Sequence, residues 1–156
     1  MRLHLIPALA IAAVALSPAI ASAAASFDQM PTKTFTVSEL TGFTSPSGNI
    51  GCYISADHVR CDIRERIWTP PAKPASCNEN TGWGQGLELN AGERAGFVCA
   101  GDTALAGGKP LAYGDTIQAG TISCDMTGSG VACYDASTGD GFELSREGYG
   151  LSLIHI

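Results

Sequence analysis

Cys52 and Cys61 recur as Cys124 and Cys133, at a constant offset of 124 − 52 = 72 residues, and their surroundings recur with them. The first copy reads Ile50-Gly-Cys52-Tyr-Ile54 and Val59-Arg-Cys61; the second reads Ile122-Ser-Cys124-Asp-Met126 and Val131-Ala-Cys133. If Cys52 faces Cys61, Tyr53 pairs with Arg60, Ile54 with Val59 and Ser55 with His58, leaving Ala56-Asp57 as a two-residue turn; this is a poor turn pair, and a wider loop is the alternative. Alternation then places both cysteines on the face of Ile54 and Val59, at non-hydrogen-bonded sites. Such sites bring Cα atoms to about 4.5 Å, within reach of a disulfide. The second copy pairs Met126 with Val131 around Gly128-Ser129, and a glycine in the first turn position predicts a type II′ turn.

The ends of the chain require different treatment. Met1-Arg2, an apolar run from Leu3 to Leu16, Pro18 and Ala21-Ser-Ala23 form a signal-peptide pattern over 1–23, predicting export to the periplasm or beyond the cell. Residues 24–42 read as a lead-in, with Thr34-Phe-Thr-Val37 alternating as a short strand. One disulfide-bonded β domain then spans 43–150. The last six residues, 151–156, have the form of a translated sequencing adapter; an ordinary apolar final strand is the alternative.

Loss of the signal removes Arg2, leaving a net charge of 8 − 15 = −7. Arg60, Arg64 and Arg66 form one basic cluster, interleaved with Asp62 and Glu65. A nucleic-acid partner requires a basic face without such neutralisation, so none is expected. Past the signal no run is long and apolar enough to span a bilayer.

Six cysteines in an exported chain predict three disulfides. With the two hairpins closed, Cys77 is left for Cys99, giving Cys52–Cys61, Cys77–Cys99 and Cys124–Cys133. Zinc is the competing use, but there is no C-x-x-C, and His58 is the one histidine outside the signal and tail. Asp135 to Gly141 has the polarity of a calcium loop but breaks its D-x-D/N-x-D/N-G order. Neither a metal nor a cofactor is therefore expected.

Between the hairpins, Trp68-Thr-Pro-Pro-Ala-Lys-Pro74 predicts an extended crossing segment. Thr81-Gly-Trp-Gly-Gln-Gly86 is glycine-rich without the lysine of a phosphate loop. Leu87-Glu-Leu89 and Ala95 to Cys99 read as another hairpin, Gly107 to Pro110 as a loop and Leu111 to Tyr113 as a short strand. Helical periodicity is absent past the signal, so the expected fold is all-β: a small disulfide-stapled sandwich or barrel-like domain.

Chemistry is sparse. Every cysteine is committed to a bridge and His58 sits beside a turn, so no nucleophile–base pair is apparent and no catalytic residue is assigned. Ser45-Pro-Ser-Gly-Asn49 predicts a tight bend, with Gly48 or Asn49 able to take positive φ. Ser47, Gly48 and Asn49 are its candidate recognition residues.

Phe43-Thr-Ser-Pro-Ser-Gly-Asn-Ile-Gly-Cys52, Val59-Arg-Cys-Asp-Ile63, Phe97 to Thr103, Gly130-Val-Ala-Cys133 and Gly141 to Arg146 with Tyr149 resemble a family of exported bacterial domains of unknown function. The resemblance implies secretion and paired cysteines, with no known activity or catalytic residues. The expected function is non-catalytic binding of a protein or glycan of the envelope. An inhibitor of an envelope-directed enzyme such as lysozyme or a protease is the alternative, and a carboxylate-dependent hydrolase the third.

Overall fold

The computed structural model describes residues 32–152, and among these described residues there are strands but no helix. The predicted signal peptide, 1–23, lies outside the described residues, as do residues 24–31 and 153–156. Twelve strands form two six-stranded sheets packed as a sandwich, so the barrel alternative falls away.

The first sheet-forming run is β1 (Thr34–Thr36), β2 (Thr41–Thr44), β3 (Ile50–Ile54), β4 (His58–Ile63), β5 (Trp83–Asn90) and β6 (Gly96–Cys99). The second is β7 (Lys109–Pro110), β8 (Thr116–Ala119), β9 (Ile122–Met126), β10 (Gly130–Asp135), β11 (Gly141–Ser145) and β12 (Tyr149–Ser152). One sheet has the order β1-β8-β9-β10-β11-β12, and the other, read in the matching direction, β7-β2-β3-β4-β5-β6. The repetition therefore extends from the hairpin to the whole domain. Each half forms five neighbouring strands of one sheet and gives its first strand to the other half's sheet.

Both exchanged strands pair in parallel, Phe35 with Ile117 and Lys109 with Phe43. The hydrogen bonds that follow them also correspond: Val37 N–H donates to Gln118 O and Leu111 N–H to Thr44 O, each at 2.9 Å. β1 and the start of β2 fall in the stretch read as a lead-in, and they contribute to both sheets. Lys109-Pro110, expected in a loop, forms β7, whereas Leu111 to Tyr113, expected as a strand, does not. Pro110 is tolerated because an edge strand does not need every N–H.

The two hairpins have the register set by their cysteines, Cys52 opposite Cys61 and Cys124 opposite Cys133, with Cα atoms 4.1 Å apart in each bridge. Cys77 and Cys99 form the third. Gly128 does not adopt positive φ, so the second turn is not type II′. Hydroxyls shape both turns instead. Thr127 N–H donates to Gly130 O at 2.8 Å while its Oγ1 accepts from Gly130 N–H, and Ser55 takes the corresponding place in the first hairpin. A side chain that bonds the turn backbone removes the need for a left-handed glycine.

Inward residues of both sheets make one core, including Ile54, Val59, Leu87 and Leu89 against Ile122, Met126, Phe142 and Leu144. At its centre Cys61 Sγ lies 4.0 Å from Cys133 Sγ. These are equivalent residues of the two halves, so the contact marks the pseudo-two-fold axis between the sheets.

The outer face of β2–β4 is covered by the connection from β6 to β7. Close approach requires missing side chains: a Cβ on Gly51 would stand 2.5 Å from Ala104 O and 2.7 Å from Leu105 Cα. Both are backbone atoms with little room to yield. Gly51→Ala is expected to cost roughly 1–3 kcal/mol. Gly101→Ala, with nothing near its Cβ position, should stay within about 0.5 kcal/mol of the parent. Urea unfolding of the two variants checks this, and equal stabilities would contradict the covering role.

Candidate functional site

The duplication gives the sandwich two corresponding ends, and they differ. At one end the β8–β9 turn is the short Gly120-Thr121, packed against the β3–β4 turn so closely that a Cβ on Gly120 would meet Ala56 Cβ at 3.1 Å. Ala136 N–H donates to Thr121 O and Ala91 N–H to Asp57 O, each at 2.9 Å. Asp135, fully buried, ties this end together. It accepts from Gly92 N–H at 2.7 Å, Ser137 N–H at 2.8 Å and Ser137 Oγ at 2.7 Å. Its carboxylate oxygens thus hold the β5–β6 turn and the loop after β10 together.

Burial works against the Asp135 charge, but the bonds from Gly92 and Ser137 outweigh it and hold the pKa down at about 2, against an ordinary 3.8. A carboxylate with a lowered folded pKa stabilises fully above its unfolded value and loses that contribution as the pH falls through the folded one. Asp135→Asn should therefore be clearly less stable than the parent at pH 6, with the gap closing between about pH 4 and pH 2. Urea unfolding at several pH values checks this; a gap of constant size would contradict it.

At the other end the equivalent of Gly120-Thr121 is the longer Ser45-Pro-Ser-Gly-Asn49, and the facing turn is Gly128-Ser129. Here both turns line a cleft of about 800 Å³. Three further pieces complete its wall: Arg64-Glu65 after β4, Tyr113 before β8, and Arg146-Glu147 between β11 and β12.

The long turn is held rigidly. Ser45 is buried; its N–H donates to Ile50 O at 2.9 Å and its Oγ accepts from Ile50 N–H at 3.0 Å. Gly48 N–H returns to Ser45 O at 2.9 Å, and Gly48 takes a φ of 72°, which glycine accepts without strain. Ser47 and Gly48 are exposed at the tip. Asn49 has a different part. Its Oδ1 accepts from Glu65 N–H at 2.8 Å and its Nδ2 donates to Glu65 O at 3.0 Å. The carboxamide thereby acts as one rung of a strand and places Arg64-Glu65 on the cleft wall.

Arg146-Glu147 is tied to the same segment. Ile67 N–H donates to Arg146 O at 2.9 Å, and Trp68 Nε1 donates to Ser145 O at 2.8 Å. Trp68 packs on Phe97 and Tyr149, and Trp83 on Phe97, so an aromatic cluster fixes the crossing segment at the strand edges. Sequence reasoning placed Ser47, Gly48 and Asn49 in one loop but not Arg64, Glu65, Tyr113, Ser129, Arg146 or Glu147 beside it. The available signal was the 72-residue offset, which relates Gly128-Ser129 to Ala56-Asp57 and so to an end of the sandwich.

The cleft offers hydroxyls, guanidiniums, carboxylates and one phenol ring. His58 is not in it: its Nε2 lies 3.2 Å from Glu88 Oε2 on the outer face of β4–β5. Among the described residues every cysteine is in a disulfide, and no group of three or more His, Cys, Asp or Glu could hold a metal. Nor is any helix there long and apolar enough to cross a membrane.

A family model described as a family of unknown function, DUF6636, matches residues 14–151. The chain belongs to that family. No curated protein and no solved structure is similar enough to this DUF6636 chain to count as a match. The reading of its cleft therefore depends on the residues that form it.

Proposed function

We propose that this DUF6636 chain is an exported, non-catalytic binding module of the bacterial envelope, holding its partner in the cleft beside Ser47 and Gly48. One observation carries the reading. Of two corresponding ends in a duplicated fold, one is sealed by turn-to-turn packing, and the other is opened by a longer, internally braced turn. A cleft walled by braced loops binds with little ordering cost.

Arginines obstructing the two facing tips, Ser47→Arg with Ser129→Arg, test this. Both positions are exposed, and the Ser45 and Thr127 bonds to the turn backbone remain, so the domain should still fold. The oxidised chain should retain one envelope component that the obstructed variant and the reduced, alkylated chain do not. Equal retention by the obstructed variant would remove the cleft from the function. Turnover of a glycoside or peptide panel would remove the non-catalytic reading.

A further inference from the structure

We infer that the cleft takes an uncharged oligosaccharide, with one sugar ring stacked on Tyr113 and its hydroxyls met by Arg64-Glu65 and Arg146-Glu147. This rests on the cleft being the binding site, and it adds the chemical class of ligand.

The cleft holds one exposed aromatic ring. Trp68, Trp83, Phe97 and Tyr149 pack on one another at the strand edges. Tyr113 instead stands in the cleft wall with 53% of its surface exposed. A sugar presents a C–H face that covers such a ring while its hydroxyls remain at the rim, suiting a side chain with an apolar body and a polar tip.

The charges that line the cleft stand outside the ion pairs of the domain. Among the described residues the ion pairs are His58–Glu88, Arg60–Asp62 and Arg60–Asp102. Arg64, Glu65, Arg146 and Glu147 are exposed and outside all of them. Each wall thus carries a donor-only guanidinium next in sequence to an acceptor-only carboxylate. A hydroxyl both donates and accepts, so neighbouring hydroxyls are satisfied by a donor beside an acceptor. Ser47 and Ser129 add hydroxyls of the same dual character.

Other classes fit poorly. A lipid or apolar peptide needs apolar walls, and one phenol ring does not supply them. A phosphate or sulfate polymer would meet Glu65 and Glu147 beside each arginine, on a chain of formal net charge −6.

Cellotetraose, maltotetraose and fully N-acetylated chitotetraose are the uncharged probes, with tetragalacturonate as the acidic one, titrated into the oxidised chain by calorimetry and amide NMR. At least one uncharged probe should bind and shift the Gly48, Gly128 and Ser129 amides. Tyr113→Ala should weaken that binding by roughly tenfold, whereas Tyr134→Ala, on the outer face of β10, should not. Failure of all three uncharged probes at millimolar concentration would overturn the inference, as would tighter binding of tetragalacturonate or indifference to Tyr113→Ala. If the sugars fail while the envelope component is still lost on obstructing the cleft, the binding module stands and its ligand is a protein.

Discussion

Asp62→Ala is expected to destabilise the domain by about 3–5 kcal/mol, because it strips the partner from a buried arginine. Arg60 is 3% exposed and Asp62 fully buried. Arg60 Nε and Nη2 donate to Asp62 Oδ1 at 2.9 Å and Oδ2 at 2.8 Å, the bidentate geometry that makes such pairs strong. Arg60 Nη1 reaches Asp102 Oδ1 at 2.7 Å, and Asp62 Oδ2 also accepts from Ala104 N–H at 2.8 Å. The pair therefore pins the β6–β7 connection to the outer face of β4. Burial opposes the Arg60 charge, but its bonds to Asp62 and Asp102 more than offset this and hold its pKa above the ordinary range. The remaining Asp102, with its side chain 79% exposed, cannot replace a buried carboxylate. Arg60→Met combined with Asp62→Leu should recover much of the loss, short of the unpaired Ala104 N–H, which costs about 1–3 kcal/mol. Urea unfolding of the single and double variants measures the cycle; a double variant as unstable as Asp62→Ala would contradict the account.

Arg60 also shows what a sequence conceals. Interleaved with acids, it read as one member of a neutralised basic cluster, yet it and Asp62 are buried while Arg64 and Glu65 remain exposed. Alternation places Arg60 and Asp62 on the outer face, and only the distant connection at Asp102–Ala104 turns that face into interior. The hairpins were legible because the cysteine spacing fixes a register, and that register leaves a two-residue turn in each copy. The β1–β8 and β7–β2 pairings were not, because parallel partners far apart in sequence leave no local turn signal. Lys109-Pro110 therefore looked like a loop. At the candidate site, turn chemistry marked Ser47, Gly48 and Asn49. Tyr113 and the two Arg-Glu pairs carry no such mark, and folding alone brings them to the same end.

The duplicated bridges should prove equivalent in energy as well as in position. Replacing Cys52 and Cys61 by alanine, or Cys124 and Cys133, is expected to cost about 2–5 kcal/mol in either case. Both bridges span a sequence separation of 9, and all four cysteines are at most 1% exposed. Loop closure and burial thus match across the pseudo-two-fold, leaving no reason for one bridge to dominate. The costs should not add, however. Cys61 Sγ and Cys133 Sγ touch across the axis at 4.0 Å, so removing both bridges opens one shared cavity whose walls can close on each other. Contacting sites couple by about 0.5–3 kcal/mol, and here the quadruple variant should lose less than the sum of the two double variants. Unfolding in urea, followed by the fluorescence of Trp68 and Trp83, gives all three values. Strict additivity would deny that the bridges share a cavity, and a large difference between the double variants would deny their equivalence. If both expectations hold, the repeated hairpin is the energetic centre of the fold as well as its axis, and the loops around the cleft can vary without disturbing it.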